Sequence, residues 1–239
     1  MKRIPDLEIL CFDMEGTILE PVRENLITHD VPPSVWTRLA EKSGPEALET
    51  ELAGQERWLR GELGYAEWME LLAHTYKRLG LKKRAFDQVM ESVPYHPGVA
   101  EAFKDFKEMG YVTVLLTGGF KAQADRAIKD LGIDYSIAAC EFFWDRNEEL
   151  SHWNLLPCDA EGKLLFMKAI VQSLGYRLDQ CGYVGDSKSD IPCAEAAGMS
   201  VAFNAHFGLQ RTCTYSVNRK RGEEDFSEVS LCFSADMPF

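Results

Sequence analysis

Three short runs hold residue types that can do phosphoryl chemistry if a fold brings them together. They are Asp13 and Glu15 in Asp-Met-Glu-Gly-Thr (13–17), Thr117-Gly118-Gly119, and Asp186 with Asp190 in Gly-Asp-Ser-Lys-Ser-Asp (185–190). Asp13, Glu15 and Asp186 could supply hard oxygen ligands to Mg²⁺, which takes one or two carboxylates and completes its shell with water and phosphate oxygens. A carboxylate beside such an ion can attack phosphorus. A second carboxylate two residues along can protonate the leaving oxygen and later deprotonate water. Thr117 offers a hydroxyl, and Gly118 and Gly119 offer N–H groups with no Cβ in the way. A nearby lysine would balance charge around a transferring phosphoryl group. Taken singly, each run has a plainer reading: a strand-end turn, a tight strand-to-helix turn, and an N-cap cluster.

All three runs follow apolar stretches that read as buried strands, at 7–12, 111–116 and 180–184. Further strands are expected at 135–139 and 200–203, with 212–217 as an edge strand and 141–159 as a hairpin flap turning at Asp145-Arg146-Asn147. Helical spacing marks 98–109, 121–131, 162–174, 191–197 and a terminal helix at 224–231. Strands alternating with helices predict a parallel α/β sheet with crossovers on both faces. Ligands of such sheets bind beyond the carboxyl ends of the strands, so the three runs specify one site.

Between the first and second runs no buried strand is expected. Amphipathic segments at 35–41, 47–59, 65–79 and 84–91 are punctuated by Pro32-Pro33, Gly44-Pro45, Gly61 and Gly64. Trp58, Tyr65, Trp68 and Tyr76 fall at helical spacing there and read as core, with a substrate pocket as the alternative. His29, His74, His96, His152 and His206 lack metal-ligand spacing. With 26 Lys plus Arg against 38 Asp plus Glu, the formal charge of −12 would repel nucleic acid and anionic membranes, so neither is an expected partner. The same charge works against anionic substrates unless a local cation intervenes. Seven scattered cysteines, with no zinc spacing, read as reduced thiols in a cytoplasmic protein. The opening apolar stretch is too short for a signal segment, and no window has the length of a membrane span. A length of 239 residues fits one large domain or one domain with an insertion.

In order, DMEGT at 13–17, LLTGGF at 115–120, a lysine opening the helix near 163 and GDSKSD at 185–190 resemble the four motifs of the haloacid dehalogenase superfamily. The helical block after the first motif and the GGF after the second are similar to its phosphoserine phosphatase-like branch. The resemblance spans about residues 7–206 and implies a Rossmann-like α/β core, 1–21 and 93–239, with an inserted helical cap domain at 22–92. It implies Asp13 as nucleophile, Glu15 as general acid/base that also lends its carbonyl to Mg²⁺, Thr117 and Gly118 as phosphate binders, Asp186 as metal ligand and Asp190 in the outer shell. Of two available lysines, Lys163 is preferred to Lys168 because it lies 23 residues before Asp186 at the helix N-terminus.

Glu15 stands where most members have aspartate, Ser189 where phosphoserine phosphatases have asparagine, and Glu70 where they have a carboxylate-binding arginine. Arg57 and Arg60 are the nearest replacements in sequence. The implied activity is Mg²⁺-dependent hydrolysis of a small phosphorylated metabolite resembling phosphoserine through phospho-Asp13. Transfer to an alcohol such as homoserine is the alternative, and a catalytically idle binding protein is a reading from another class. Residues 207–239 carry no assigned role, and the oligomeric state is open.

Overall fold

The computed structural model describes residues 1–21, 34–220 and 222–236. His29 and Pro32-Pro33 therefore lie outside the described residues. The apolar run Ile9–Phe12 forms β1, the middle strand of a seven-stranded sheet. The other strands are β2 (Val112–Phe120), β3 (Tyr135–Trp144), β4 (Leu150–Leu155), β5 (Cys181–Gly185), β6 (Met199–Phe203) and β7 (Tyr215–Val217). Their order is β4-β3-β2-β1-β5-β6-β7, parallel throughout except for antiparallel β4. β1 pairs with β2 and β5 on its two sides, with Ile9 level with both Val112 and Cys181.

Alternate residues of β1 enter different interiors: Leu10 and Phe12 join one buried cluster, Ile9 and Cys11 the other. Covering both faces is what makes such a strand read as an unbroken apolar run. Helices α1 (Val35–Ser43), α2 (Pro45–Leu59), α3 (Tyr65–Arg78) and α4 (Lys83–Ser92) follow β1 as a block. Then α5 (Val99–Glu108), α6 (Lys121–Leu131), α7 (Ala160–Ser173), α8 (Ile191–Ala196), α9 (Phe207–Thr212) and α10 (Ser227–Cys232) alternate with the remaining strands or follow them.

Three expectations need correction, and one short helix was not foreseen. β2 does not break at Thr117; it runs through the two glycines to Phe120, with a register shift against β3 between Thr117 and Phe120. β3 is ten residues long because the first arm of the hairpin flap is the sheet strand itself. Its turn is tied by Asp145, whose Oδ1 accepts from the amides of Asn147 and Glu149 at 2.8 and 2.9 Å. The edge strand shrinks to three residues, and α9, too short to show a helical period, precedes it.

The helical block meets the sheet through aromatic rings. Trp36 and Phe120 lie 4.1 Å apart between centroids, Phe86 and Phe142 5.4 Å. Tyr76 is buried and donates its hydroxyl to Trp36 O at 3.1 Å, and Trp68 is buried as well, so these two are core as expected.

The block also hides a carboxyl. Glu51 on α2 is 1% exposed and accepts from Thr37 Oγ1 at 2.9 Å. Burial pushes its pKa from 4.5 up to about 7, with the hydrogen bond opposing. A raised folded-state value means the folded chain holds this proton more tightly, so stability is lost as pH rises through about 7. Glu51→Gln is expected to stabilise the fold at pH 8 by about 3 kcal/mol and at pH 5 by only about 1 kcal/mol. Urea unfolding at the two pH values tests this, and an equal effect at both would refute it.

Candidate active site

β1 and β5 end side by side, β2 runs on past them, and the site forms where Asp13 and Asp186 leave the sheet beside Thr117 and its two glycines. Asp13 is the first residue past β1 and stays tied to the sheet through its amide, which donates to Val184 O at 2.9 Å. Its carboxylate is buried against Lys163, which stands in the first turn of α7. The Lys163 ammonium donates to Asp13 Oδ1 at 2.7 Å and to Asp190 Oδ1 at 2.8 Å, and is itself 2% exposed. Lys168 makes neither contact and does not line the cavity.

Asp190 is saturated with donors. Tyr183 Oη reaches its Oδ1 at 2.7 Å, and the amides of Asp186 and Ser187 reach its Oδ2 at 3.1 and 2.9 Å. Asp186 accepts from Thr17 Oγ1 at 2.9 Å. Asp13, Asp186 and Asp190 each place a carboxylate oxygen within 4.8 Å of the others. Gly16 makes room for this arrangement: its φ is +84°, and a Cβ there would lie 2.3 Å from Asp186 Oδ2.

Glu15 makes its own contacts outside that cluster. Its Oε2 accepts from the amide of Val35, at the start of α1, at 3.1 Å. Its Oε1 occupies the space beside Gly119, where a Cβ would sit 2.5 Å away. Thr117 Oγ1 accepts from Gly119 N at 2.9 Å, which leaves the hydroxyl proton to be donated elsewhere. Tyr65 Oη donates to Gly118 O at 2.9 Å.

A cavity of about 150 Å³ opens over these groups. Thr117, Gly118 and Gly119 line it from β2, Asp13 and Glu15 from the loop after β1, Lys163 from α7, and Ser34, Trp36 and Tyr65 from the helical block and its start, together with Asp159, Ser187 and Ser189. Tyr65 thus belongs to the pocket, not to the core reading given to its aromatic neighbours. Ser34, Trp36 and Asp159 were not anticipated. Ser34 and Asp159 each carry a polar side chain directly before a helix, a legible N-cap pattern that did not reveal what lay opposite.

The electrostatics are those of crowded carboxylates. Burial pushes Asp13 up to about 6, against the pull of Lys163. It pushes Glu15 up to about 7, against the Val35 amide. Asp186 is held well above the usual carboxylate range by burial and by the charges of Asp13 and Asp190. For Asp190 burial also acts upward, but Lys163, Tyr183 and Ser187 outweigh it and hold the group below its ordinary value. Burial alone would lower Lys163, yet its two carboxylate partners raise it well above normal, so it stays charged. Three clustered carboxylates against one ammonium form a hard-oxygen donor set that suits a small divalent cation.

The anticipated substrate-carboxylate cations do not reach this cavity. Arg60 pairs with Glu56 and Glu62 in solvent, and Arg57 faces a separate surface groove with Glu46 and Glu49. The inward face of α2 is instead Ala47, Glu51, Gly54 and Gln55, which leaves its arginines outside. Glu70 accepts from Trp153 Nε1 at 2.8 Å and so faces the hairpin. Among the described residues, Lys163 is the only cation lining the cavity.

The family model for haloacid dehalogenase-like hydrolases matches residues 10–195. The phosphoserine phosphatase of Archaeoglobus fulgidus is 26% identical over 212 residues, covering 89% of this chain and 57% of that protein. That of Albidiferax ferrireducens is 27% identical over 223 residues, covering 90% and 86%. Among solved structures, a phospho-aspartyl intermediate analogue of phosphoserine phosphatase superposes with a TM-score of 0.74 at 18% identity, covering 95% of this chain and 99% of that one. A hydrolase of the same family from Salmonella enterica serovar Typhi gives 0.78 at 17%, covering 98% and 75%. At these identities the structures speak for the fold.

Proposed function

The chain belongs to the haloacid dehalogenase-like hydrolases, in a branch with phosphoserine phosphatases, and on that premise we propose that it hydrolyses a small phosphomonoester resembling phosphoserine through a phospho-Asp13 intermediate. The observation that carries this reading is the convergence of Asp13, Lys163, Thr117 and Gly118 on one cavity past the end of β1 and alongside β2. Asp13 Oδ attacks phosphorus as the bond from phosphorus to the substrate alcohol oxygen breaks, and Glu15 gives that oxygen its proton. Glu15 then takes a proton from water as the water oxygen attacks phosphorus. The bond to Asp13 breaks, inorganic phosphate leaves, and both carboxyl groups return to their starting states. A Glu15 carboxyl titrating near 7 can serve in both directions at neutral pH.

Thr117, Gly118 and Lys163 hold the phosphoryl oxygens in this proposal. Asp13, Asp186 and the main-chain carbonyl of Glu15 would hold Mg²⁺, with Asp190 orienting them from behind, and the ion would offset carboxylate charge facing the phosphate dianion. Residues 1–21 and 93–239 form the catalytic core, and 22–92 the cap that excludes water. A cytoplasmic location completes the proposal; among the described residues no helix is long and apolar enough to cross a membrane.

The test is turnover of a panel of small phosphomonoesters with Mg²⁺, in the presence and absence of homoserine. Phosphate and alcohol released one to one are expected from at least one of them, phosphoserine first. A phosphorylated acceptor formed without free phosphate would make the protein a transferase. No turnover of any member would leave only a binding fold.

A further inference from the structure

The Glu15 side chain spans two parts of the molecule that are far apart in sequence. One carboxylate oxygen rests against Gly119 in β2, and the other takes the amide of Val35, the first residue of α1. The first amides of a helix have no partner within the helix, so an outside acceptor there serves as a cap and is favoured by the helix dipole. The capping side chain of Ser34 is occupied elsewhere, at Thr37 N.

We infer that the Val35 main-chain N–H is a positioning group for Glu15: the helical block holds the acid/base in place, and proton transfer works only while α1 is seated. This rests on the reading of Glu15 as acid/base. It also accounts for the glutamate. An aspartate is one C–C bond, about 1.5 Å, shorter, and from a contact of 3.1 Å it would fall out of hydrogen-bond reach. A glutamate touches both the sheet and the first turn of the block.

Val35→Pro removes this N–H with little harm to the helix. Proline suits the first helical position, and Ser34 at φ −100°, ψ 175° already has the extended backbone that a residue before proline adopts. Val35→Ala keeps the N–H and measures what the buried side chain contributes. On an alkyl phosphate, Val35→Pro is expected to lower kcat at least about tenfold beyond Val35→Ala, part of the 10²–10⁴ that general acid/base help supplies, with KM alike in the two. On 4-nitrophenyl phosphate, whose leaving group needs no proton, Val35→Pro should give a nitrophenol burst and accumulate phosphorylated enzyme. Combined with Glu15→Asp, Val35→Pro should add less than about twofold, because the contact is already gone. If the proline variant does not fold, an ester in place of the Val35 amide removes the same N–H and carries the same expectations.

Equal kcat in Val35→Pro and Val35→Ala, or losses that multiply in the double variant, overturn the inference. Glu15→Gln separates the two levels of the argument. A loss below about tenfold on the alkyl phosphate means Glu15 is not the acid/base at all. A loss of about a hundredfold or more, with Val35→Pro matching Val35→Ala, means that only the positioning fails.

Discussion

Asp13→Asn is expected to abolish turnover, by at least about 10³-fold, while the protein stays folded. The neutral amide cannot attack phosphorus, so no phosphorylated enzyme should form with any substrate. The fold should tolerate the change because the amide oxygen can still accept from Lys163, which also keeps its 2.8 Å contact to Asp190. One of three mutually repelling carboxylates disappears as well, which offsets part of the lost ion pair. Thermal unfolding and single-turnover phosphate release check the two halves. Activity above about a hundredth of wild type would take the nucleophile role away from Asp13.

Removing divalent cations is expected to have an effect of similar size. After EDTA treatment and dialysis, turnover should fall to background and return on adding Mg²⁺, because an acidic protein with Asp13, Asp186 and Asp190 gathered at one point otherwise repels a phosphate dianion. The same ion should raise the unfolding midpoint. At a hundred times its dissociation constant, a ligand binding only the folded state contributes about 2.7 kcal/mol. Full activity in metal-free buffer, or no stabilisation by Mg²⁺, contradicts the assignment.

Much of this was legible in the residues because the sheet is covered on both faces. β1 and β5 read as apolar runs, and helices such as α6 end where glycine takes a left-handed conformation, at Gly132 with φ +69°. Asp13 and Asp186 were legible for the same reason, since each follows a strand whose end the pattern marks, whereas Thr117 lies within β2 and was marked only by the two glycines after it. What remained hidden depends on backbone pairing or on distance in sequence. Gly118 and Gly119 have no side chains to show that β2 continues, and only the pairing of Phe120 with Cys140 does so. The reach of Glu15 to Val35 depends on where the helical block sits. Counting along that block put Glu70 at a substrate subsite, yet the turn of α3 directs it to Trp153.

The place of β1 in the sheet governs the order in which the chain can be built. Its partners begin over a hundred and about 170 residues later, so at 5–20 residues per second the ribosome leaves Ile-Leu-Cys-Phe without either neighbour for on the order of ten seconds. The helices α1 to α4 need no such wait, because most of their contacts are with one another. Nascent chains therefore pass through a stage with helices formed and an apolar strand bare on both edges, the kind of species that chaperones hold. Asp13 and Asp186 come together only with the last of these events, when β5 slots in beside β1.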